Sequence, residues 1–371
     1  MKIGIDISQL AFPGTGVGTY TKNLVENLLR IDQENDYVLF YSSLRREIKG
    51  EELKIENNNV KLKNYRFPPL FLEILWNRFH FLSIEKFTGQ LDVFHTSDWL
   101  EPPAKCPKVT TIHDLAIFKY PEAFSPRGGH NIVSNLKRKL EWVKKESRVI
   151  IAVSENTKND VIEILGISPK RIKVIYEACD EIFMRKRSQK EIKEVKKKYK
   201  ISGDYILGVG TLEPRKNLKR LFEAFSLLTE SVPVKLVVAG KVGWGESIEK
   251  LKIKNEKLKI LGYVPKEDLA PLYAGAQVFV YPSLYEGFGL PILEAMACGC
   301  PVVTSNISSM PEVAGKAAIL IDPKNIEDIA LGIKKAIEKR DELIREGFER
   351  VKNFSWEKNA KETLKIYKEI V

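Results

Sequence analysis

Two glutamates eight residues apart bracket the segment Glu286-Gly-Phe-Gly-Leu-Pro-Ile-Leu-Glu294, and two adjacent cations stand in Thr211-Leu-Glu-Pro-Arg-Lys-Asn217. The β-type run 205–210 (YILGVG) precedes the cations, and Leu218, Leu221, Phe222 and Phe225 follow at helical spacing. Where a strand hands over to a helix, Arg215 and Lys216 would lie beside unpaired backbone N–H groups, an arrangement suited to a diphosphate. In the acidic segment, Gly287 and Gly289 around Phe288 let the backbone approach a ligand closely. Leu290 and Pro291 then suit the start of a helix. One carboxylate can grip a ribose diol while the other takes the hydroxyls of a second sugar, with phosphates between them. A solvated basic pair, or a helix-start acid favoured by the macrodipole, would explain Arg215, Lys216 or Glu294 taken singly. Neither explains the glycines or Glu286.

Two further clusters fall at strand ends. Gly14-Thr-Gly-Val-Gly18 lies between the run 2–7 and a helical pattern from 18, but seven residues separate the strand from Gly14. A nicotinamide fingerprint needs its glycines at the strand-to-helix turn, so Gly14, Gly16 and Gly18 read better as a loop closing over a phosphate or sugar. His113-Asp114 ends the run 109–113, and His113 is one of four histidines. A strand-end histidine satisfied by a backbone bond is the plain alternative to a role in a cleft. The chain has no Asp-x-Asp motif, so the positive charge for diphosphate transfer would come from Arg215 and Lys216 rather than a metal.

These segments need a scaffold, and the periodicity supplies one. Candidate strands are 2–7, 37–41, 92–95, 109–113, 148–153 and 172–175, then 205–210, 234–239, 258–262, 277–281, 301–304 and 318–321. Helical patterns lie between them at 18–30, 130–146, 188–200, 216–229, 291–298, 325–338 and 341–352. Near-continuous apolar strands alternating with helices predict parallel sheets covered on both faces. Twelve strands exceed one comfortable open sheet, so the α/β chain is expected to form two doubly wound, Rossmann-like domains facing across a cleft. The break is expected near residues 179–190, where turn signals replace the strand pattern. At 371 residues, 44% of them apolar, each half can build a core, and no apolar run is long enough to span a membrane. Four cysteines leave no disulfide framework and fit a reducing cytoplasm. Of the net charge of +11, residues 181–204 contribute +5, from nine basic and four acidic residues. This local excess, with no zinc module, aromatic RNA signature or basic arm, argues against a nucleic-acid partner.

The chain resembles the retaining glycosyltransferases of family 4, which have the GT-B fold. The resemblance rests on Gly14–Gly18, His113-Asp114, Ala152-Val-Ser-Glu155, Gly210–Asn217 and Glu286–Glu294. It continues through Ala295-Met-Ala-Cys-Gly-Cys-Pro301 and Met310-Pro-Glu-Val-Ala-Gly315. One departure is Tyr176-Glu-Ala-Cys179, which stands where Pro-Asn-Gly is frequent. The resemblance implies an acceptor-binding domain over 1–180 and a nucleotide-sugar-binding domain over 181–354, with the last helix, 355–371, crossing back to the first. It also implies that Arg215 and Lys216 bind the donor diphosphate, Glu294 the ribose, Glu286 the transferred sugar, and the backbone around Val264 the base. Gly16 and Gly18 would close on the diphosphate, and His113 would contact the sugar. No protein nucleophile or cofactor is implied, because the leaving phosphate can take the acceptor's proton.

Val238-Ala-Gly-Lys-Val-Gly-Trp244 and Pro282-Ser-Leu-Tyr-Glu286 are similar to bacterial mannosyltransferases of polysaccharide assembly. They imply GDP-mannose as donor, ahead of a UDP-hexose, and a glycan or lipid-linked acceptor. Residues 65–87 (YRFPPLFLEILWNRFHFLSIEKF) crowd aromatics among Arg66, Arg78 and Lys86. They read as a helix buried under the first domain, or as a surface meeting the inner face of the cytoplasmic membrane. A GT-B epimerase or hydrolase of nucleotide sugars would share the anion site but need no acceptor. A nicotinamide oxidoreductase would bind that cofactor, and a non-enzymatic module would bind nucleotide without turnover.

Overall fold

The computed structural model describes residues 1–44, 46–53, 59–97, 99–121, 129–228, 233–241, 243 and 257–371, with the backbone alone at 129–132. It divides into two compact units, Met1–Glu177 with Ser355–Val371, and Ala178–Phe354.

The first unit is built on a parallel sheet of order β3-β2-β1-β4-β5-β6-β7. Its strands are β1 (Lys2–Asp6), β2 (Asp36–Ser42), β3 (Val60–Tyr65), β4 (Val93–Ser97), β5 (Lys108–Ile112), β6 (Ser147–Ala152) and β7 (Ile172–Val174). The order reverses at β1, which pairs with β2 on one side and β4 on the other. All six strands expected in this half are present, and β3 is a seventh. It reads VKLKNY, is alternately exposed, and pairs only with β2. As an edge strand with lysines on its open side it lacks the continuous apolar run of a central strand.

Helix α1 (Gly16–Ile31) begins at Thr15, whose side chain accepts from the Gly18 N–H at 3.1 Å. Helix α2 (Gly129–Glu146) covers the sheet, and α3 (Glu155–Leu165) runs from a Ser154 cap to Gly166 in the left-handed region. The stretch 65–87 is neither one continuous helix nor wholly buried, as the first of the two readings would have it. A short helix Pro69–Leu72 widens into a π-turn over Glu73–Arg78. Leu72, Trp76 and Ile84 pack into a core with Val38, Phe40 and Phe94, while Leu70, Phe71, Ile74, Phe79 and Phe81 are exposed.

The second unit repeats the pattern with β10-β9-β8-β11-β12-β13, again all parallel. Its strands are β8 (Asp204–Val209), β9 (Val234–Ala239), β10 (Leu258–Gly262), β11 (Val278–Tyr281), β12 (Val302–Ser305) and β13 (Ala318–Ile321). Helix α4 (Gln189–Lys198) carries the capping box expected from Ser188 and Glu191. Helices α5 (Leu218–Leu228), α6 (Lys266–Gly275), α7 (Leu290–Ala297), α8 (Ile326–Glu338) and α9 (Arg340–Val351) cover the sheet. Its core joins Ile206, Leu236, Val278 and Val303 of the strands to Leu221, Phe225, Ile329 and Ile333 of the helices.

The last helix, α10 (Trp356–Ile370), belongs to the first unit. Trp356, Ala360 and Tyr367 are buried on it. The Trp356 ring meets Tyr20 of α1 edge-on at 5.8 Å, and Tyr367 Oη lies 2.5 Å from His95 Nδ1. Trp356→Ala is therefore expected to cost about 3–5 kcal/mol of stability, as buried Trp truncations do. Urea unfolding followed by circular dichroism measures this, and a loss under about 1 kcal/mol would show that the ring adds little beyond a surface contact.

Candidate functional site

The order of the second sheet reverses at β8, where its neighbours change from β9 to β11. Parallel sheets bind ligands at the carboxyl edge of such a reversal, because the connections there diverge to opposite faces. The segments after β8 and β11 carry the four charged side chains identified above.

After β8 the chain passes Gly210, whose φ of +143° a side chain would strain. A Cβ at the facing Gly240 would fall 1.7 Å from the Gly210 carbonyl oxygen, so the two strand ends can approach only without one. Pro214–Lys216 then forms one 3₁₀ turn, and Asn217 at φ +56° leads into α5. The Asn217 amide donates to the Pro282 and Pro323 carbonyls at 3.0 and 2.6 Å. The Leu284 N–H donates to the Arg215 carbonyl at 2.8 Å. These bonds tie the cationic turn to the segments after β11 and β13.

Arg215 and Lys216 converge on Glu286. Arg215 Nη1 donates to Glu286 Oε2 at 2.9 Å, and Lys216 Nζ to Glu286 Oε1 at 2.7 Å. Arg215 also donates to Glu213 Oε1, at 3.1 Å from Nε and 2.8 Å from Nη2, and Lys216 to Tyr281 Oη at 2.9 Å. All four charged side chains are at least 86% buried, so two cations and two carboxylates form a compact set without net charge. Burial pushes the Glu286 carboxyl up, but the charges of Arg215 and Lys216 reverse this and hold it down at about 2. Burial, with Arg215 nearby, draws the Lys216 ammonium below the usual lysine range despite Glu286.

The Glu286 backbone is equally fixed. Its N–H donates to Ser308 Oγ at 3.1 Å, and its carbonyl accepts from the Ser308 and Ser309 hydroxyls at 2.6 and 2.9 Å. Gly287, Phe288 and Gly289 are buried, and Gly289 at φ +103° starts α7, with Leu290 as its first residue. Glu294 lies one turn into that helix, partly solvent-exposed yet densely surrounded. Tyr273 Oη donates to its Oε2 at 3.1 Å. Burial pushes the Glu294 carboxyl up to about 7, against the smaller pull of Lys266 and Tyr273. Lys266 itself pairs with Asp180 at 2.8 Å. Val264 is buried after β10, two strands from β8.

The remaining candidates lie in the first unit. Gly14, at φ +77°, is in the exposed loop before α1, and Gly16 and Gly18 are in its first turn. A Cβ at Gly18 would press on Thr15 Oγ1 at 3.0 Å, whereas one at Gly16 would meet open space. Packing thus accounts for the glycine at 18 but not at 16. His113 follows β5, with the Tyr20 ring edge-on at 4.6 Å and its Nδ1 at 3.1 Å from Glu177 Oε1. Of Val238–Trp244, residues 242 and 244 lie outside the described residues.

Sequence reasoning did not assign Glu213, Tyr281, Tyr273 or Glu177. Glu213 could have been found, since it sits two residues before Arg215 at a strand end. The others meet their partners only through the folded sheet.

The family model described as Glycosyltransferase Family 4 matches residues 14–181, and that described as Glycosyl transferases group 1 matches residues 188–363. An O-antigen chain mannosyltransferase B from Escherichia coli is 32% identical over 99% of this chain and 100% of its own length. Among solved structures, sucrose-phosphate synthase from Thermosynechococcus elongatus superposes with a TM-score of 0.76 at 18% identity, covering 100% of this chain and 98% of the other. The Anabaena protein HepE, crystallised with UDP and glucose, gives 0.73 at 19% identity over 100% of both chains. Matched in both halves and over its full length, the chain belongs to the family 4 glycosyltransferases and has their GT-B fold.

Proposed function

We propose that this glycosyltransferase is a retaining, metal-independent mannosyltransferase, moving mannose from GDP-mannose to a hydroxyl of a glycan or lipid-linked acceptor. The observation that carries this reading is the convergence of Arg215 and Lys216 on one carboxylate at the β8–β11 reversal. Full-length similarity to the E. coli O-antigen mannosyltransferase supports mannose. The UDP and glucose in the HepE structure keep a UDP-hexose as the second reading.

In the ligand-free protein Glu286 is the anion that Arg215 and Lys216 hold. A donor diphosphate offers the same two cations a more highly charged partner. As they turn to its oxygens, Glu286 is released to accept hydroxyls of the transferred sugar. The bond from C1 to the diphosphate oxygen breaks while an acceptor oxygen bonds to C1 from the same face. The acceptor's proton passes to the departing phosphate oxygen. Arg215 and Lys216 stabilise the charge that develops there. Glu294 accepts from the ribose diol, and the backbone at Val264 meets the base. The start of α1, from Gly14 through Gly16 and Gly18, closes on the diphosphate, and His113 contacts the sugar. On this reading Ala178–Phe354 is the donor-binding unit and the other takes the acceptor.

The acceptor side has its own support. Leu70, Phe71, Ile74, Phe79 and Phe81 are exposed among exposed Arg66, Arg78 and Lys86. Aromatic and aliphatic side chains flanked by cations suit the boundary of an anionic bilayer. A lipid-linked acceptor would be met there, which places the enzyme peripherally on the inner face of the cytoplasmic membrane.

Arg215→Ala and Lys216→Ala are each expected to lower kcat about a hundredfold, roughly 3 kcal/mol, with the fold kept. The assay scores nucleoside diphosphate release over GDP-mannose, UDP-glucose and other nucleotide sugars, with and without acceptor and chelator. GDP-mannose should turn over fastest, only with acceptor and unaffected by the chelator. Near-normal turnover in either variant contradicts the assignment.

The Glu294 carboxyl, raised to about 7, gives a second expectation. Ribose hydroxyls donate and need the carboxylate, which is protonated below pH 7 in the free protein. GDP-mannose affinity should therefore rise with pH through about 7, and binding below that pH should release a proton. GDP-mannose suits this test because its diphosphate, esterified at both ends, does not titrate near neutrality. Calorimetry in buffers of different ionisation enthalpy measures the release, which Glu294→Gln should abolish. No proton release, or release unchanged in the variant, removes Glu294 from the ribose site.

For the membrane contact, co-sedimentation with anionic vesicles at low salt is expected and should fall sharply for Phe79→Ser/Phe81→Ser. Failure of the wild-type protein to sediment rejects this surface.

A further inference from the structure

The geometry points to Glu177 as a positioning residue for His113, fixing the imidazole tautomer so that Nε2 accepts a hydroxyl hydrogen of the transferred sugar. This inference rests on the proposed reading of His113 as a contact of the sugar. It starts from the position where the chain departs from the pattern frequent in its family, Tyr176-Glu-Ala-Cys179.

Glu177 is 5% exposed and follows β7, and its Oε1 lies 3.1 Å from His113 Nδ1 across the carboxyl edge of the sheet. The placement is held from both sides. The Ile175 N–H donates to the Ala152 carbonyl at 3.0 Å, and Asn359 of α10 donates to the Tyr176 carbonyl at 2.8 Å. On the imidazole, the Tyr20 ring stands edge-on at 82° to the His113 plane. A carboxylate oxygen can only accept, so Nδ1 must carry the proton of the neutral ring and Nε2 its lone pair. His113 Nε2 is buried and, among the described residues, has no hydrogen-bond partner. By contrast, both ring nitrogens of His95 are taken, by Tyr367 and Thr111. A buried acceptor without a partner among the described residues matches a ligand hydroxyl. Carboxylates orient metal-bound histidines by the same bond, and here the ring would face a sugar.

The test has two arms. Histidine-labelled (¹⁵N) ligand-free protein is held at about pH 9, well above the ordinary imidazole pKa of about 6.5. Long-range ¹H–¹⁵N spectra, assigned by loss of the signal in His113→Ala, should show the His113 proton on Nδ1. Glu177→Ala should mix the tautomers, and Glu177→Gln, whose amide oxygen still accepts, should largely keep Nδ1–H. A proton on Nε2 in the wild-type protein, or a tautomer unmoved in Glu177→Ala, overturns the proposal whatever the substrate.

In the second arm, Glu177→Ala should weaken GDP-mannose binding about tenfold while leaving GDP binding unchanged, as expected for one lost hydrogen bond to the sugar. His113→Ala should do the same, the double variant should be no weaker than either single one, and Glu177→Gln should recover most of the loss. Equal losses for GDP and GDP-mannose, or additive losses in the double variant, would make Glu177 a merely structural residue and overturn the proposal. A wild-type protein that binds no sugar nucleotide at all would instead refute the donor-site reading, and the tautomer arm would still decide the pairing.

Discussion

Two cations buried side by side cannot stand without anions, and Glu286 is the group that allows Arg215 and Lys216 to share one turn. Breaking a buried ion pair by removing one partner costs several kcal/mol, because a charge is left uncompensated. The buried cations therefore need counter-ions within the protein, and Glu213 and Glu286 supply two. The consequence is functional. A ligand gains only the difference between its own contacts with the cations and those of Glu286, so a singly charged anion gains little and a diphosphate gains more. On the proposed reading, the carboxylate that neutralises Arg215 and Lys216 would also help select the anion that replaces it.

The proposed exchange would need partners from different connections, and the sheet order arranges this. Glu213, Arg215 and Lys216 follow β8, while Glu286 follows β11, its neighbour on the far side of the reversal. Hydrogen bonds from Leu284 to Arg215 and from Asn217 to Pro282 join the two connections through backbone atoms. The charged side chains can then change partners while the loops stay in place. The Ser308 and Ser309 hydroxyls hold the Glu286 backbone in the same way.

Much of this was legible before folding, for identifiable reasons. Strands buried on both faces write continuous apolar runs, so twelve strands and the two doubly wound units could be read directly. Strand β3 could not, because an edge strand alternates polar and apolar residues and its lysines resemble a loop. The stretch 65–87 was ambiguous because composition does not say which face of an apolar helix is covered. Trp76 is buried and Phe79 exposed only three residues apart, where the π-turn alters the helical phase. At the site, residue types and spacing marked Arg215, Lys216, Glu286 and Glu294. The mutual neutralisation of the first three was not visible, since it depends on a side chain about seventy residues away in sequence. Tyr281, Tyr273 and Glu177 were hidden for the same reason.

The two glutamates of one short segment show how far environment overrides chemical identity. Glu286 faces a guanidinium and an ammonium, and is held at about 2. Glu294, one turn into the following helix, has a phenol and the charge of Lys266 beside it, and burial raises it to about 7. Paired carboxyl groups driven apart in this way take different roles. The first stays ionised at any physiological pH and can serve as a permanent counter-ion that yields to a stronger anion. The second is only partly ionised near pH 7, and a diol donating two hydrogen bonds would favour its ionised form. On the proposed reading, one carboxylate would answer to the charge of the donor and the other to its hydroxyl pattern, so that a donor must supply both to satisfy the segment Glu286–Glu294.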